Sequence, residues 1–405
     1  LIYNHPMYDE IIKASKTISK YIRDVPLHYS YIFSELFNSK IYFKLENLQR
    51  TGSFKIRGAL YSILKNTRKI SNGVITASAG NHAQGVAFGC KISGLNALIV
   101  MPVSTPLIKI ENTRTYGADI LLHGQNYDEA YEKAQTIAKE KGLFFIHPFD
   151  DTDVMAGQGT IAPEIMNELS QIDYIVVPIG GGGLASGVSS YVKKINPKIK
   201  IIGVQAANSA SMYYSFKRGN IVTIPSSNTI ADGIAVHKIS TSTFNICKNN
   251  LDDIIIVSEN EIAHATLALM EKSKLIVEGA GAVALAAILS NKLEIKNKTA
   301  VLIISGGNID VNLISRIINK GLTTTGRFLQ INIKLTDTPG SLAAVTQTVA
   351  NLGANILDIK HHRFNTYTEI GYTKVTFDLE TKGFKHIKEI INTINKSGYE
   401  VACNE

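Results

Sequence analysis

The chain has 405 residues, of which 45% are hydrophobic and 19% are charged, so it is long enough for two or three compact domains and too apolar to be largely disordered. Its formal net charge of +8 raises the question of a nucleic-acid partner. Basic residues alternate with acidic ones without long basic runs, so the charge predicts solvated faces and no nucleic-acid partner.

The first 320 residues alternate between short β-rich runs and helical stretches, which is the α/β pattern. The β-rich runs are 41–44, 97–101, 120–122, 144–146 and 254–257, and clear helical stretches are 127–139 and 259–272. Parallel sheets bind ligands at the carboxyl ends of their strands. Motifs that directly follow a strand are therefore candidates for a functional site.

Residues 48–59, Leu-Gln-Arg-Thr-Gly-Ser-Phe-Lys-Ile-Arg-Gly-Ala, set one lysine among small and apolar residues just before a predicted helix. Lys55 lies between Phe54 and Ile56, so desolvation is expected to lower its pKa, and the neighbouring cation Arg57 is expected to add to this effect. A free amine is what a Schiff base requires, so Lys55 is a candidate for covalent catalysis. An ordinary surface lysine is the alternative.

Two further motifs follow predicted strands. The segment 76–85, Thr-Ala-Ser-Ala-Gly-Asn-His-Ala-Gln-Gly, follows the strand 73–75 and opens a helix. The segment 303–308, Ile-Ile-Ser-Gly-Gly-Asn, follows the strand 299–302. Both motifs therefore lie at the strand ends where parallel sheets bind ligands.

Four consecutive glycines, 180–183, join the apolar run 174–179 to a predicted helix. Glycines accept positive φ angles, so the turn can present backbone N–H groups to an anion at the positive end of the helix dipole. A nucleoside triphosphate is disfavoured because Leu184, not a lysine, follows the run, and a dinucleotide is disfavoured because the next strand ends in Gln205. The loop predicts a site for one monophosphate, with a flexible surface turn as the alternative.

In this order, the motifs Ser-Phe-Lys-Ile-Arg-Gly, Ser-Ala-Gly-Asn-His-Ala-Gln-Gly, Gly-Gly-Gly-Gly-Leu and Ser-Gly-Gly-Asn resemble those of the threonine ammonia-lyases, also called threonine dehydratases. That family uses pyridoxal 5'-phosphate and has the fold-type II architecture of the tryptophan synthase β-subunit. The resemblance implies a two-lobed α/β catalytic domain over residues 1–320, with a small lobe at about 46–145 inserted between 1–45 and 146–320 of the large lobe.

The resemblance implies a role for each motif residue, with Lys55 as the catalytic Schiff-base lysine. The implied cofactor-binding residues are Lys55, Phe54, Asn81, Gly180, Gly181, Gly182, Gly183, Leu184 and Ser305. Asn81 would bind the ring hydroxyl, the glycine loop would bind the phosphate, and Ser305 would face the pyridine nitrogen. The implied substrate-carboxylate residues are Ser78, Ala79, Gly80, Asn81 and His82, at a helix N-terminus. His82 is expected to cap or pack rather than act as a general base.

The implied reaction is deamination by loss of the β-hydroxyl, converting L-threonine to 2-oxobutanoate and L-serine to pyruvate. A serine at position 305 leaves the pyridine nitrogen unprotonated, which favours elimination over transamination. The freed amine of Lys55 would take the α-proton. Glu278 is the best candidate for an acid behind the residues that contact the substrate, and a simple helix-start acid is its equal alternative.

Two differences from the serine racemases, which share this fold, help to distinguish elimination from racemisation. Those enzymes carry a second serine directly before Gly-Asn-His as an acid on the opposite face, whereas this chain has Ala79. We therefore expect elimination without racemisation. The segment 203–211 lacks the carboxylates that hold the racemases' divalent metal, so no metal site is predicted, while a monovalent cation on backbone carbonyls stays open.

After the polar junction 321–326 the pattern changes to β-α-β-β-α-β, with strands at 328–333, 355–361, 371–379 and 399–402 and helices ending near 352 and 397. This order resembles a ferredoxin-like ACT domain, here over 327–405, a module that pairs through its sheets and often binds amino acids near its first loop. The candidate effector neighbours are Asp337, Gly340, Leu342 and Asn355. A domain that serves only for dimerisation, without binding an effector, is an equally weighted alternative.

The chain has three widely spaced cysteines, Cys90, Cys247 and Cys403. This number and spacing argue against a disulfide framework or a zinc site and favour a reducing compartment. No leader pattern opens the chain and no apolar stretch reaches the about 18 residues of a membrane helix, so we expect a cytoplasmic protein without a membrane partner. The family implies a homodimer or homotetramer. Alternative functions are another pyridoxal-phosphate β-elimination or replacement enzyme, such as a serine dehydratase or a cysteine synthase, and a catalytically silent amino-acid sensor.

Overall fold

The computed structural model describes residues 6–225, 227–362 and 369–403, and it divides into two compact units, Leu1–Val311 and Asn312–Glu405. The strands of the described residues are, in chain order, β1 (His28–Tyr29), β2 (Lys40–Leu45), β3 (Val74–Ala77), β4 (Ala97–Met101), β5 (Asp119–Leu122), β6 (Phe144–Phe145), β7 (Tyr174–Pro178), β8 (Lys200–Ala206), β9 (Asp253–Val257), β10 (Thr299–Ile304), β11 (Phe328–Thr336), β12 (Asn355–His362), β13 (Tyr372–Glu380) and β14 (Glu400–Cys403).

The α-helices of the described residues alternate with these strands through the first unit. They are α1 (Pro6–Ile18), α2 (Tyr31–Phe37), α3 (Lys55–Asn66), α4 (Asn81–Ser93), α5 (Leu107–Arg114), α6 (Tyr127–Lys141), α7 (Thr152–Gly159), α8 (Ile161–Glu168), α9 (Gly183–Ile195), α10 (Ser211–Arg218), α11 (Thr241–Asn250), α12 (Glu259–Ser273), α13 (Gly279–Leu289), α14 (Val311–Thr324), α15 (Ser341–Asn351) and α16 (Phe384–Lys396). Among the described residues, none of the helices is both long enough and apolar enough to span a bilayer.

The larger sheet of the first unit has six strands in the order β1-β2-β10-β7-β8-β9, all parallel except β1. Along β7, Ile175 and Val177 belong to the hydrophobic core on one side of the sheet, and Val176 belongs to the core on the other side. Both faces are therefore covered, which is why the strand is a continuous apolar run. Helix α13, apolar all round, is buried from Gly279 to Ile288 in the second of these cores.

The smaller sheet of the first unit has four parallel strands in the order β5-β4-β3-β6. Its buried side chains form separate cores with helices α4 and α6, in which Val86 and Ile137 take part. Two parallel sheets covered by helices are an α/β architecture, so the fold class predicted from the sequence pattern is confirmed.

The second unit is an antiparallel sheet in the order β12-β13-β11-β14, with α15 and α16 packed on one core. The predicted β-α-β-β-α-β order is confirmed, although β11 extends three residues beyond the predicted 333 to Thr336. Burial alternates along β13, where Val375, Phe377 and Leu379 face the core. This period of two is typical of a sheet that is covered on one face only.

The motifs of the first unit lie where its two sheets present the carboxyl ends of their strands. Helix α4 begins at Asn81 after β3, helix α9 begins at Gly183 after β7, and Ser305 directly follows β10. Helix α3 begins at Lys55. The loop after β6 leads into residues 147–150, at the same edge of the smaller sheet as the loop after β3.

Candidate active site

Lys55 is partly buried, and its Nζ donates a hydrogen bond to the backbone carbonyl of Pro148 at 2.9 Å. Burial lowers the pKa of its amine to about 8, although the negative charge of Glu278 acts in the opposite direction. The Phe54 ring lies beside the amine, with its centroid 5.4 Å from Nζ. A substantial fraction of Lys55 is therefore a neutral amine near physiological pH, which a nucleophile requires.

Arg57 does not lower the pKa of Lys55 as the sequence suggested, because a buried ionic cluster neutralises its charge. Its guanidinium donates two hydrogen bonds to Glu46, at 2.7 and 2.8 Å, and two to Glu164, at 2.6 and 2.8 Å. Lys44 pairs with the same Glu164 at 2.8 Å. The side chains of Arg57 and Glu46 are 0% exposed, so this cluster fixes the first turn of α3.

Asn81 is held between two side chains that lie more than 190 positions further along the chain. Its Nδ2 donates to Glu278 Oε1 at 2.7 Å, and its Oδ1 accepts a hydrogen bond from Asn308 Nδ2 at 2.7 Å. The Asn308 Nδ2 also donates to the carbonyl of Thr51 at 2.7 Å. These contacts join the Lys55 segment, the Asn81 motif and the Ser305 motif.

Glu278 is 3% exposed and directly precedes α13, but its side chain makes no capping hydrogen bond to that helix. Burial raises the pKa of this carboxyl to about 8, the charge of Asp232 adds to the effect, and the hydrogen bond from Asn81 opposes it. A Cβ on Gly306 would lie 2.2 Å from Glu278 Oε1. The glycine after Ser305 thus leaves the space in which this carboxyl meets Asn81.

The glycine loop is packed so closely that side chains have no room. Gly182 has φ +95° and precedes α9, and a Cβ on Gly181 would lie 2.3 Å from Cγ of the Phe149 ring. A Cβ on Gly180 would lie 3.0 Å from Ile234 Cα, and one on Gly183 would lie 3.1 Å from Phe149 Cα. Leu184, the next residue, is 5% exposed within the core. The first N–H groups of α9 have no partners within the helix, so this loop suits an anion.

Phe149 and Pro148 connect the glycine loop to Lys55, and neither residue was singled out from the sequence. The Lys55 amine contacts the Pro148 carbonyl, while the Phe149 ring lies against Gly181. His147 shapes this turn, because its Nδ1 accepts hydrogen bonds from the backbone N–H groups of Phe149 and Asp150 at 3.2 and 2.8 Å. The available signal was their place directly after the predicted strand 144–146.

Ser305 is 2% exposed, and its carbonyl accepts a hydrogen bond from the backbone N–H of Phe54 at 3.0 Å. Ser53 pairs with Gly306 as an isolated antiparallel bridge. The buried Ser53 hydroxyl has no hydrogen-bond partner among the described residues. The Lys55 and Ser305 motifs therefore lie side by side, with a spare buried hydroxyl between them.

The predicted substrate-carboxylate segment forms an open turn before α4. Ser78 Oγ accepts a hydrogen bond from the Gly80 N–H at 3.3 Å, and a Cβ on Gly80 would meet nothing within 4 Å. Ala79 is partly buried against the core of the smaller sheet. His82 is 2% exposed and its Nε2 donates to the Ile146 carbonyl at 3.2 Å, while burial and the charge of Lys55 hold its pKa well below the usual value.

These residues fit pyridoxal phosphate in three respects. The glycine loop is a cradle that any Cβ would fill, the helix N-terminus behind it suits a phosphate, and Lys55 supplies a buried amine. Among the described residues no group of three or more histidine, cysteine, aspartate or glutamate side chains could hold a metal ion, and the absence of a metal stays a prediction.

The predicted effector neighbours do not all lie together within the second unit. Asp337 follows β11, where its N–H donates to the Gly371 carbonyl at 2.9 Å, and Gly340 has φ +96° before α15. Asn355 lies at the start of β12, in register with Glu380 and Phe328 at the opposite end of the sheet. The length of β11 separates the two ends by about 27 Å. Leu342 packs against the domain core.

Comparison with family models identifies both units. A model described as "Pyridoxal-phosphate dependent enzyme" matches residues 18–306, and a model described as "ACT domain" matches residues 329–395. The L-threonine ammonia-lyase of Thermotoga maritima is 48% identical over 394 residues, which cover 97% of this chain and 98% of that protein. The L-threonine ammonia-lyase of Geobacter sulfurreducens is 47% identical over 395 residues, with the same coverage of 97% and 98%.

Solved structures agree with these relatives. The processed form of threonine deaminase isoform 2 from Solanum lycopersicum superimposes with a TM-score of 0.75 at 37% identity, covering 78% of this chain and 88% of that one. Maize serine racemase gives a TM-score of 0.73 at 35% identity, covering 78% and 98%. The chain therefore belongs to the family of pyridoxal-phosphate dependent enzymes of fold type II, with an ACT domain after the family body.

Proposed function

We propose that this protein is an L-threonine ammonia-lyase, which converts L-threonine to 2-oxobutanoate and ammonia and also converts L-serine to pyruvate. The observation that carries the proposal is the Lys55 amine, which has its pKa lowered to about 8 and contacts Pro148, the neighbour of the Phe149 ring that packs on the glycine loop. Relatives with that name match almost the whole chain, including the ACT domain. The cofactor family, the catalytic body and the C-terminal domain therefore all match those of these relatives.

When bound, pyridoxal phosphate supplies an aldehyde that condenses with an amino group and a ring that withdraws electrons from bonds at the α-carbon. We propose that the N–H groups of Gly180 to Leu184 hold its phosphate, that Asn81 contacts its ring hydroxyl, and that Ser305 faces its ring nitrogen. The close packing of the loop and the burial of Ser305 support these roles. A serine hydroxyl is a neutral partner, so it does not stabilise a protonated ring.

We propose that Lys55 serves as the general base for the α-proton of the substrate. A base with a pKa near the working pH combines a useful unprotonated fraction with enough driving force for proton transfer. The open turn at Gly80, before helix α4, suits the substrate carboxylate. The Ala79 methyl group has no proton to give to the opposite face of the α-carbon, which supports elimination without racemisation.

The decisive experiment measures 2-oxo acid formation from L-threonine and L-serine with the parent chain and with Lys55→Ala. We expect faster turnover of threonine, no D-serine product, and a loss of about 1,000-fold in the variant. Lys65→Ala is the matched control, because Lys65 lies on the same helix but pairs with Glu10 and Asp153, so its loss should leave turnover unchanged. The proposed function is rejected if neither substrate yields a 2-oxo acid, or if the Lys55→Ala variant is unimpaired. The same assay with both substrates distinguishes an ammonia-lyase from a replacement enzyme or a silent sensor.

We further propose a catalytic domain over 1–320, with its small lobe at about 46–145, and an ACT domain over 327–405 that binds an amino-acid effector. The open turn at Asp337 and Gly340 supports an effector site at the first loop. We also propose a homodimer or homotetramer in the cytoplasm, where the buried thiols of Cys90 and Cys247 would stay reduced. Turnover measured with added isoleucine and valine tests the effector, and sedimentation tests the oligomer.

A further inference from the structure

Asn308 contacts two of the segments that the proposed reaction needs and belongs to the third. Its Nδ2 donates to the Thr51 carbonyl, four residues before Lys55, and to the Asn81 Oδ1, both at 2.7 Å. Gly52, with φ +69°, makes room for this amide, because a Cβ there would lie 2.3 Å from Asn308 Oδ1. The amide is therefore enclosed on one side and committed to two acceptors on the other.

We propose that Asn308 is a positioning residue, which together with Glu278 fixes the orientation of the Asn81 amide that is presented to the cofactor. The two ends of an asparagine amide have nearly the same shape but opposite hydrogen-bonding polarity. Asn308 offers only N–H groups to Asn81, and Glu278 offers an oxygen. One orientation makes two hydrogen bonds, and the reverse orientation sets N–H against N–H and oxygen against oxygen.

The backbone around Asn308 supports this role. The N–H of Gly307 donates to the Gly52 carbonyl at 2.9 Å, and the N–H of Phe54 donates to the Ser305 carbonyl at 3.0 Å. These two bonds hold the Thr51 carbonyl in place as the second acceptor of Asn308. The direction of the Asn308 amide is thus set by backbone, and the direction of Asn81 follows from it.

Oriented in this way, Asn81 keeps one N–H and one lone pair that neither partner uses. Reversal would exchange their places, so a contact to the cofactor ring that needs a donor would meet an acceptor. This inference rests on the proposed cofactor-dependent function, because it assumes that Asn81 contacts pyridoxal phosphate. It concerns which way the amide points and not merely whether the loop is folded.

The test is a polarity exchange with Asn308→Asp, which keeps the shape of the side chain and replaces its donors by oxygen. Two quantities are measured in the full chain at pH 9, where Glu278 is mainly an acceptor. They are the dissociation constant of pyridoxal phosphate from the cofactor-free chain and the midpoint of thermal unfolding without cofactor. We expect Asn308→Asp to weaken cofactor binding by about tenfold or more and to lower the midpoint.

The exchange is repeated in a chain that carries Glu278→Gln. The new amide can turn either its oxygen or its nitrogen toward Asn81. In the double variant Asn308→Asp with Glu278→Gln, Asn81 can reverse and satisfy both neighbours. We expect the thermal midpoint to recover part of the way to that of Glu278→Gln alone, because the lost contact to the Thr51 carbonyl remains, while cofactor binding stays about tenfold weaker than in that single variant. If Asn308 had a merely structural role, the thermal midpoint and the dissociation constant would recover together in the double variant.

The remaining charged groups near Glu278 are Asp232, Lys109 and Lys55, and none of them is changed in these variants. Asn47→Asp is the matched control, because Asn47 donates to the Ile276 carbonyl at 3.1 Å in the neighbouring loop. We expect it to lower the midpoint and leave the dissociation constant within about threefold of the parent.

Three results overturn the inference: unchanged cofactor binding in Asn308→Asp, recovery of both quantities in the double variant, or recovery of neither. If the parent chain binds pyridoxal phosphate and shows the expected pattern but forms no 2-oxo acid, the proposed reaction fails and the positioning role stands. If the reaction is observed and the pattern is absent, only the positioning role fails.

Discussion

Gly181→Ala tests whether the glycine loop is shaped by the aromatic ring beneath it. The added methyl carbon would lie 2.3, 2.4 and 2.5 Å from three atoms of the Phe149 ring. Ordinary carbon contacts begin near 3.5 Å, so the ring or the loop must move by about 1 Å. Either movement disturbs the site, since the neighbouring Pro148 carbonyl contacts Lys55.

Forced overpacking of this kind costs about 1–3 kcal/mol, which is about 5- to 150-fold in an equilibrium constant. We expect this cost to be divided between the free energy of unfolding of the cofactor-free chain and the dissociation constant of pyridoxal phosphate. Phe149→Ala removes all three of these ring atoms. In that background the cost of Gly181→Ala should fall by at least about 1 kcal/mol.

Urea unfolding gives the first quantity, and titration of the cofactor-free chain followed by absorbance gives the second. The reasoning fails if Gly181→Ala matches the parent chain in both measurements. It also fails if the substitution costs the same with Phe149 as with alanine at that position, because the ring would then not be the obstacle.

Three further predictions concern buried charges. Because Lys55 must be unprotonated to attack an aldehyde and its pKa is about 8, the rate of cofactor condensation should rise with pH and level off above about 8, and a flat profile in stopped-flow absorbance would contradict this. The pKa of Glu278 is raised from 4.5 to about 8, so this carboxyl binds an extra proton in the folded chain in that range, and the free energy of unfolding of the parent chain should fall relative to that of Glu278→Gln as pH rises from 5 to 8. Urea unfolding of both chains measures this difference, and an equal slope in both would disprove it. Arg57→Met leaves Glu46 buried without its partner and should cost about 3–5 kcal/mol in the same assay, more than Arg57→Lys, which keeps the positive charge, whereas equal costs would show that the charge of Arg57 contributes nothing.

Local patterns predicted the elements and the motifs of this protein well. The alternation of apolar runs gave β7 and β10, and the shift to period two after residue 326 gave the ferredoxin-like unit. These features depend on neighbours within a few positions, so a single sequence contains them. The glycine run was interpretable for the same reason, since its strand and its helix adjoin it.

Contacts across long sequence separations could not be predicted in this way. Nothing near Asn81 indicates that its amide meets Glu278 and Asn308, because the pairing arises only when the two sheets come together. The effect of Arg57 was misjudged for the same reason, since its carboxylate partner Glu164 is 107 positions away. For Phe149, the only feature of the sequence that could have indicated a role in the site was its position shortly after a predicted strand.

The late position of Asn308 in the chain has a consequence for biosynthesis. The amide that orients Asn81 is made 227 positions after Asn81 itself, when both sheets of the first unit have already been synthesised. At elongation rates of about 5–20 residues per second, roughly 10–45 s separate the two residues. A nascent chain therefore cannot complete its vitamin-binding pocket until the last strand of the larger sheet has been translated.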